Sequence, residues 1–82
     1  MKKVGVAILG LGVVGGGTYK ILTDNKKYFK ESQGLDVTVE SVLEKNVERA
    51  KSLGIDENTV AKSIEEVVSN PAVDIVVEVI GG

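Results

Sequence analysis

The six residues Gly10-Leu11-Gly12-Val13-Val14-Gly15 have the spacing G-x-G-x-x-G, and five of the eight residues from Gly10 to Gly17 are glycine. This pattern does its chemistry with backbone rather than with reactive side chains. The first glycine lets the chain turn sharply out of a strand. The second has no Cβ, so a diphosphate can approach the backbone, and the third lets the next helix pack closely on the strand. The free amides and the positive dipole end of that helix then face the phosphates. No lysine or arginine is needed, and none lies between Lys3 and Lys20. The candidate diphosphate-binding residues are therefore Gly10, Leu11, Gly12, Val13, Val14 and Gly15. Gly16 and Gly17 exceed the pattern. Each costs roughly 0.5–1 kcal/mol relative to alanine in a helix, so a close approach by backbone or ligand is expected there. A plain tight turn also uses glycine, so the motif gains meaning only from the elements on either side.

The second diagnostic is the group that meets the adenosine ribose, which belongs at the C-terminal end of the second strand. Asp36 stands at the nominal distance of about 20 residues past the last glycine, but at the start of that strand, on the wrong edge of the sheet. Glu44, Lys45 and Asn46 stand at the correct end. Glu44 can accept from both ribose hydroxyls, which favours NAD; Lys45 can meet a 2′-phosphate, which favours NADP. Both also read as solvated residues at a strand end. Ile80 and Gly81 are placed beside the nicotinamide half of such a cofactor, where glycine again permits close approach.

These residues require a scaffold, and the hydrophobic pattern supplies one. Val4–Leu9 is a short branched apolar run bounded by glycine, as in a strand buried on both faces. Val14, Thr18, Ile21 and Leu22 then mark one face of a helix, which Asp24 and Asn25 end. Lys26–Gly34 reads as a surface loop or ragged helical turn. Leu35–Leu43 is a second strand, with Leu35, Val37, Val39 and Leu43 on one face by alternation. Asn46 caps a helix burying Val47, Ala50 and Leu53, with Gly54 at its end. Thr59–Ala61 is a short third strand. Ser63-Ile64-Glu65-Glu66 is a capping box, opening a helix that buries Ile64, Val67 and Val68 and stops at Asn70-Pro71. Asp74–Ile80 is a fourth strand. It carries Asp74 and Glu78, and Glu78 either lines the ligand crevice or bonds to nearby amides. Alternating strands and helices with right-handed crossovers predict a Rossmann-type three-layer α/β/α fold. Its four-stranded parallel sheet has the order 3-2-1-4, a partial dinucleotide-binding fold.

The composition fits. Eighty-two residues make one small domain, 43% apolar and 27% charged, with net charge −2. That balance gives no electrostatic reason to expect nucleic acid or an acidic membrane as partner. The Val4–Leu9 run is too short to span a bilayer. With no cysteine and no histidine, there is no disulfide framework, thiolate zinc site or imidazole chemistry.

With the motifs in place, the chain resembles the homoserine dehydrogenases. Gly10–Gly17 is similar to the family's G-L-G-x-V-G-x-G. Asp74–Gly82 is similar to its D-I-V-V-E-hydrophobic-x-G-G segment, and Ser63–Glu66 with Asn70-Pro71 matches the layout between them. The resemblance covers the whole chain. It implies a fragment of an oxidoreductase that interconverts homoserine and aspartate 4-semialdehyde with NADP or NAD, on the route to threonine and methionine. Gly10–Gly15 would hold the diphosphate. Lys45 falls where many members have an arginine, and Glu44 where the family more often has an apolar residue. The resemblance further implies that residues 1–82 are the N-terminal part of the NAD(P)-binding domain. The catalytic and substrate domain and any metal site would then lie in missing C-terminal domains of a longer, cytoplasmic, homo-oligomeric parent, leaving this fragment inactive alone. Apolar surface around Ile75, Val77 and Val79 would then be partly uncovered. A non-catalytic nucleotide-sensing module and another dehydrogenase of the same architecture are the alternative readings.

Overall fold

The computed structural model describes residues 1–80. In chain order it comprises β1 (Lys2–Leu9), α1 (Val13–Asp24), α2 (Lys26–Tyr28), β2 (Leu35–Leu43), α3 (Val47–Ser52), α4 (Ile64–Val68) and β3 (Ile75–Glu78). The three strands are parallel in the order β2-β1-β3. β1 lies at the centre, and Val6, Ala7, Ile8 and Leu9 are buried, as a strand covered on both faces requires. Val6 and Ile8 join Leu11, Val37, Val42, Ala50 and Ile55 in one cluster with Tyr19 and Leu22 of α1 packed on it; Ala7 and Leu9 join Val67 of α4 in the other. Helices thus cover both faces of a Rossmann-like sheet.

The predicted third strand does not form. Its position is marked by one parallel bridge, Val42 to Val60, and by the Ala61 N–H donating to the Val42 carbonyl at 2.8 Å. The Asp56 carboxylate accepts from the Asn58 N–H and turns Glu57–Thr59 into a 3₁₀ turn. The Thr59 and Val60 amides then donate to Asp56 and Glu57 carbonyls. Those donors are unavailable to a sheet ladder, so the expected order 3-2-1-4 is reduced to three strands with a single bridge beside β2.

A second departure lies inside β2. Val6 pairs with Val39 but Ala7 pairs with Ser41, so Glu40 is an extra residue on the β2 side. Such a bulge reverses the alternation beyond it. Leu35, Val37 and Val39 pack on the α1 face, whereas Leu43 joins the α4 face and Val42 takes the α1 face. The sequence-based grouping of Leu43 with the other three is thereby corrected.

The remaining elements follow local chemistry. Lys26–Gly34 is helical rather than loop-like: α2 runs into a π-type turn at Phe29–Gln33, closed by Gly34 at φ 65°. Lys26 and Lys30 reach Asp36, which sits at the edge of the sheet opposite the glycine turn. α3 is capped by Asn46 Oδ1, which accepts from the Arg49 N–H. Its end is a Schellman motif: Gly54 at φ 73° donates to Lys51 and Ile55 donates to Ala50. Ser63 Oγ accepts from the Glu66 N–H, and the Glu66 carboxylate accepts from the Lys62 N–H. Ser63→Ala should cost about 1 kcal/mol, measurable as a lower urea midpoint with an unchanged slope. Of the apolar residues on and beside β3, Ile75 and Val76 are exposed, while Val77 and Val79 are half-buried against the core.

Candidate functional site

The site forms where β1 gives way to α1. The Gly10 N–H donates to the Leu43 carbonyl at 2.8 Å, so the turn begins tied to β2. Gly10 has φ 98°, which an L side chain rarely adopts. Leu11 drops its side chain into the core, fully buried. Gly12 caps the helix without any side-chain hydrogen bond. The first amide to find an acceptor in the helical ladder is that of Gly16, which donates to the Gly12 carbonyl at 2.8 Å. The amides of Val13, Val14 and Gly15 precede it and have no partner within the helix.

Space around the turn separates the glycines by role. A Cβ on Gly15 would lie 1.9 Å from the Gly10 carbonyl oxygen, so α1 packs there backbone to backbone. A Cβ on Gly12 would meet nothing within 4 Å. The turn is closed on its inner side and open on its outer side. Val13 is 88% exposed and Val14 53%, so among the described residues no side chain plugs the head of the helix. A cradle of free amides with an open approach fits a diphosphate. Gly16 is occupied from outside: its Cβ would lie 2.5 Å from Arg49 Nη2. Gly17 faces open space, so no backbone among the described residues explains it.

The ribose candidates fall at the same end of the sheet. The Glu40 bulge places Glu44 on the α1 side, and its carboxylate reaches back to the turn. Oε1 accepts from the Leu11 N–H at 2.6 Å, and Oε2 accepts from the Asn46 N–H at 2.9 Å. Each oxygen keeps lone-pair capacity for a further donor. Lys45 is exposed and lines a cavity of about 440 Å³ together with Gly10, Leu43, Glu44, Lys62, Ser63 and Ile80. Ile80 approaches the turn directly, with its Cα 3.2 Å from where a Gly10 Cβ would stand. Gly81 lies outside the described residues. Asp74 and Glu78 both bond to backbone amides: Asp74 accepts from Gly5 at 2.8 Å and Glu78 from Ile80 at 2.7 Å.

Two residues at the site carry no sequence motif. Arg49, from α3, donates through Nε to the Leu11 carbonyl at 2.6 Å and through Nη2 to the Gly12 carbonyl at 3.4 Å. Lys62 lines the same cavity as Lys45. Its one signal in the sequence is its place directly before the Ser63 capping box, at the sheet edge that the box sets. A neighbouring depression of similar size is lined by Glu40, Glu57 and Glu66, and those carboxylates suit it poorly for phosphate. Among the described residues, no cluster of three or more potential metal ligands occurs. No helix there is long and apolar enough to cross a membrane.

Comparison with known proteins agrees with this fold. Residues 10–82 match the family described as "Homoserine dehydrogenase, NAD binding domain". The chain is 40% identical over its full length to homoserine dehydrogenase of Methylobacillus glycogenes, covering 20% of that protein. It is 37% identical over its full length to the Bacillus subtilis enzyme, covering 19% of it. Among solved structures, Staphylococcus aureus homoserine dehydrogenase superposes over the whole chain with a TM-score of 0.86 at 32% identity, 21% of that chain being covered. The chain thus spans about one fifth of the length of the relatives it matches. It belongs to the family of homoserine dehydrogenase NAD-binding domains.

Proposed function

We propose that this chain is the cofactor-holding part of a homoserine dehydrogenase, gripping the diphosphate of NAD or NADP at the Gly10–Gly15 turn. The observation that carries the reading is the pairing of a closed inner side at Gly15 with an open outer side at Gly12, over amides that the helix leaves unpaired. The chain's residues bind and orient. The amides of Gly12, Val13 and Val14 receive the diphosphate, and Leu11 anchors the turn in the core. Glu44 and Lys45 meet the adenosine ribose, and Ile80 and Gly81 flank the nicotinamide half. When bound, the dinucleotide supplies a hydride at its nicotinamide C4, reducing the aldehyde of aspartate 4-semialdehyde to the alcohol of homoserine. The proton for the new hydroxyl and the substrate contacts come from segments of the longer enzyme. That enzyme acts in the cytoplasm as a homo-oligomer, and residues 1–82 are inactive alone.

The test is titration of the protein with NADH and NADPH, followed by the amide signals of Gly10–Gly17. Shifts confined to that segment and the 440 Å³ cavity support the reading, and unchanged signals at saturating dinucleotide defeat it. Lys45 and Lys62 both line that cavity, and Lys45 is assigned to the 2′-phosphate. A charge-assisted hydrogen bond contributes about 1.5–3 kcal/mol. Lys45→Ala should therefore weaken NADPH by about tenfold or more and leave NADH within about twofold. Equal weakening of both cofactors would reject a role for Lys45 in reading the 2′-phosphate.

A further inference from the structure

The backbone of Leu11 is held at both its N–H and its carbonyl, which belong to successive peptide groups, by residues far along the chain. Its N–H donates to Glu44 Oε1 at 2.6 Å, and its carbonyl accepts from Arg49 Nε at 2.6 Å. Glu44 and Arg49 are themselves tied together, because the Asn46 N–H donates to Glu44 Oε2 and Asn46 Oδ1 accepts from the Arg49 N–H. The hydrogen bonds form a closed ring running Leu11, Glu44, Asn46, Arg49 and back to Leu11. Resting on the proposed diphosphate role of the turn, we infer that Arg49 is a positioning residue. With Glu44 it fixes the backbone on both sides of Leu11, so that the amides of Gly12, Val13 and Val14 stand in binding geometry before any ligand arrives.

Three observations carry this. Leu11 lies between two glycines, so the backbone on each side is free to rotate unless something outside the motif holds it. Arg49 reaches two successive carbonyls, Leu11 and Gly12, and so fixes the two peptide groups whose N–H ends are those of Gly12 and Val13. Gly16 then acquires a reason. Its missing Cβ leaves room for the guanidinium, which would otherwise stand 2.5 Å from a methyl group. A preorganised site loses less conformational freedom on binding, and that difference appears as affinity.

The experiment uses the intact protein and ADP-ribose, which contains the diphosphate, with adenosine, which lacks it, as the control. Binding of ADP-ribose to the unaltered protein tests the underlying reading; its absence defeats that reading and this inference with it. Given that binding, Arg49→Met should weaken ADP-ribose at least tenfold and leave adenosine unchanged. Arg49→Lys should recover part of the loss, since an ammonium can still donate to the Leu11 carbonyl. Gly16→Ala, which displaces the guanidinium without removing it, should weaken ADP-ribose similarly and add little in the Arg49→Met background. That non-additivity is the signature of a shared contact. ADP-ribose binding undiminished in both Arg49→Met and Gly16→Ala overturns the inference while leaving the diphosphate reading intact. A parallel loss of adenosine binding also overturns it, because that marks general loosening rather than control of the turn. Should Arg49→Met fail to fold, Arg49→Lys and Gly16→Ala decide the matter by the same readouts.

Discussion

Gly15→Ala is expected to lower the melting temperature by roughly 15 °C and to abolish dinucleotide binding. The added Cβ would stand 1.9 Å from the Gly10 carbonyl oxygen, 2.8 Å from its carbon and 2.9 Å from Val79 Cγ2. Rotation of Val79 relieves the last contact only. The first two are backbone of the turn itself, so α1 must move outward by about an ångström to reach even the shortest tolerable separation. Leu11, Tyr19 and Leu22 connect that helix and its turn to the cluster containing Val6 and Ile8, so the displacement opens the packing along its length. Overpacking of this kind costs about 3 kcal/mol. In a domain of this size each kcal/mol shifts the midpoint by about 4–8 °C. Small domains have little stability in reserve, so part of the population unfolds at ambient temperature. A calorimetric midpoint within a few degrees of the unaltered protein would show that α1 does not pack on the turn as described.

The features that the sequence made legible are local in origin. A branched run, a glycine turn and a change of period from strand to helix predict β1, the turn and α1, because each signal is written in adjacent residues. The Asn46 cap and Gly54 are equally local and act as read, and the Ser63 box does so in part: Ser63 Oγ accepts from the Glu66 N–H, but the Glu66 carboxylate takes the Lys62 N–H in place of that of Ser63. The helix faces are legible only in part: Val14 and Ile21 of α1, Val47 of α3, and Ile64 and Val68 of α4 are exposed, while Tyr19, Leu22, Ala50, Leu53 and Val67 take the core side. The other readings that failed depend on competition or on distance. Thr59–Ala61 has strand-like composition, yet the Asp56 carboxylate captures the Asn58 amide and bends the preceding residues into a turn. The Glu40 bulge leaves no mark in an alternating pattern, and one inserted residue moved Leu43 to the other face. Arg49 reads as an ordinary charge on a short helix. Its two contacts to the turn span 38 and 37 positions, and only the folded register brings them together. Glu44 was visible as a candidate because strand-end acids are looked for. Its bond to the Leu11 amide was not, because that bond depends on the bulge that turned Glu44 toward α1.

Gly12→Ala should have the opposite profile to Gly15→Ala, and the contrast isolates function from folding. Gly12 has φ −64° and ψ −159°, an extended conformation open to any residue. Its Cβ would meet no protein atom within 4 Å. Nothing in the fold therefore requires glycine there, and restricting the unfolded chain should raise stability by up to about 1 kcal/mol. The carbonyl that accepts from Arg49 Nη2 is untouched by the substitution, so the clamp on the turn survives. What changes is the outer surface of the turn, where a methyl group would enter the path of a diphosphate approaching the Val13 and Val14 amides. A steric penalty of about 1–3 kcal/mol corresponds to a loss of roughly tenfold to a hundredfold in affinity for NADH and NADPH alike. Both cofactors should suffer equally because the diphosphate is common to them, in contrast to the selective effect at Lys45. Measured by calorimetric titration beside a thermal melt, the expected result is a protein that melts no lower and binds far more weakly. A Gly12→Ala protein that keeps full affinity would mean that no ligand phosphate approaches this amide, and the open side of the turn would need a different explanation.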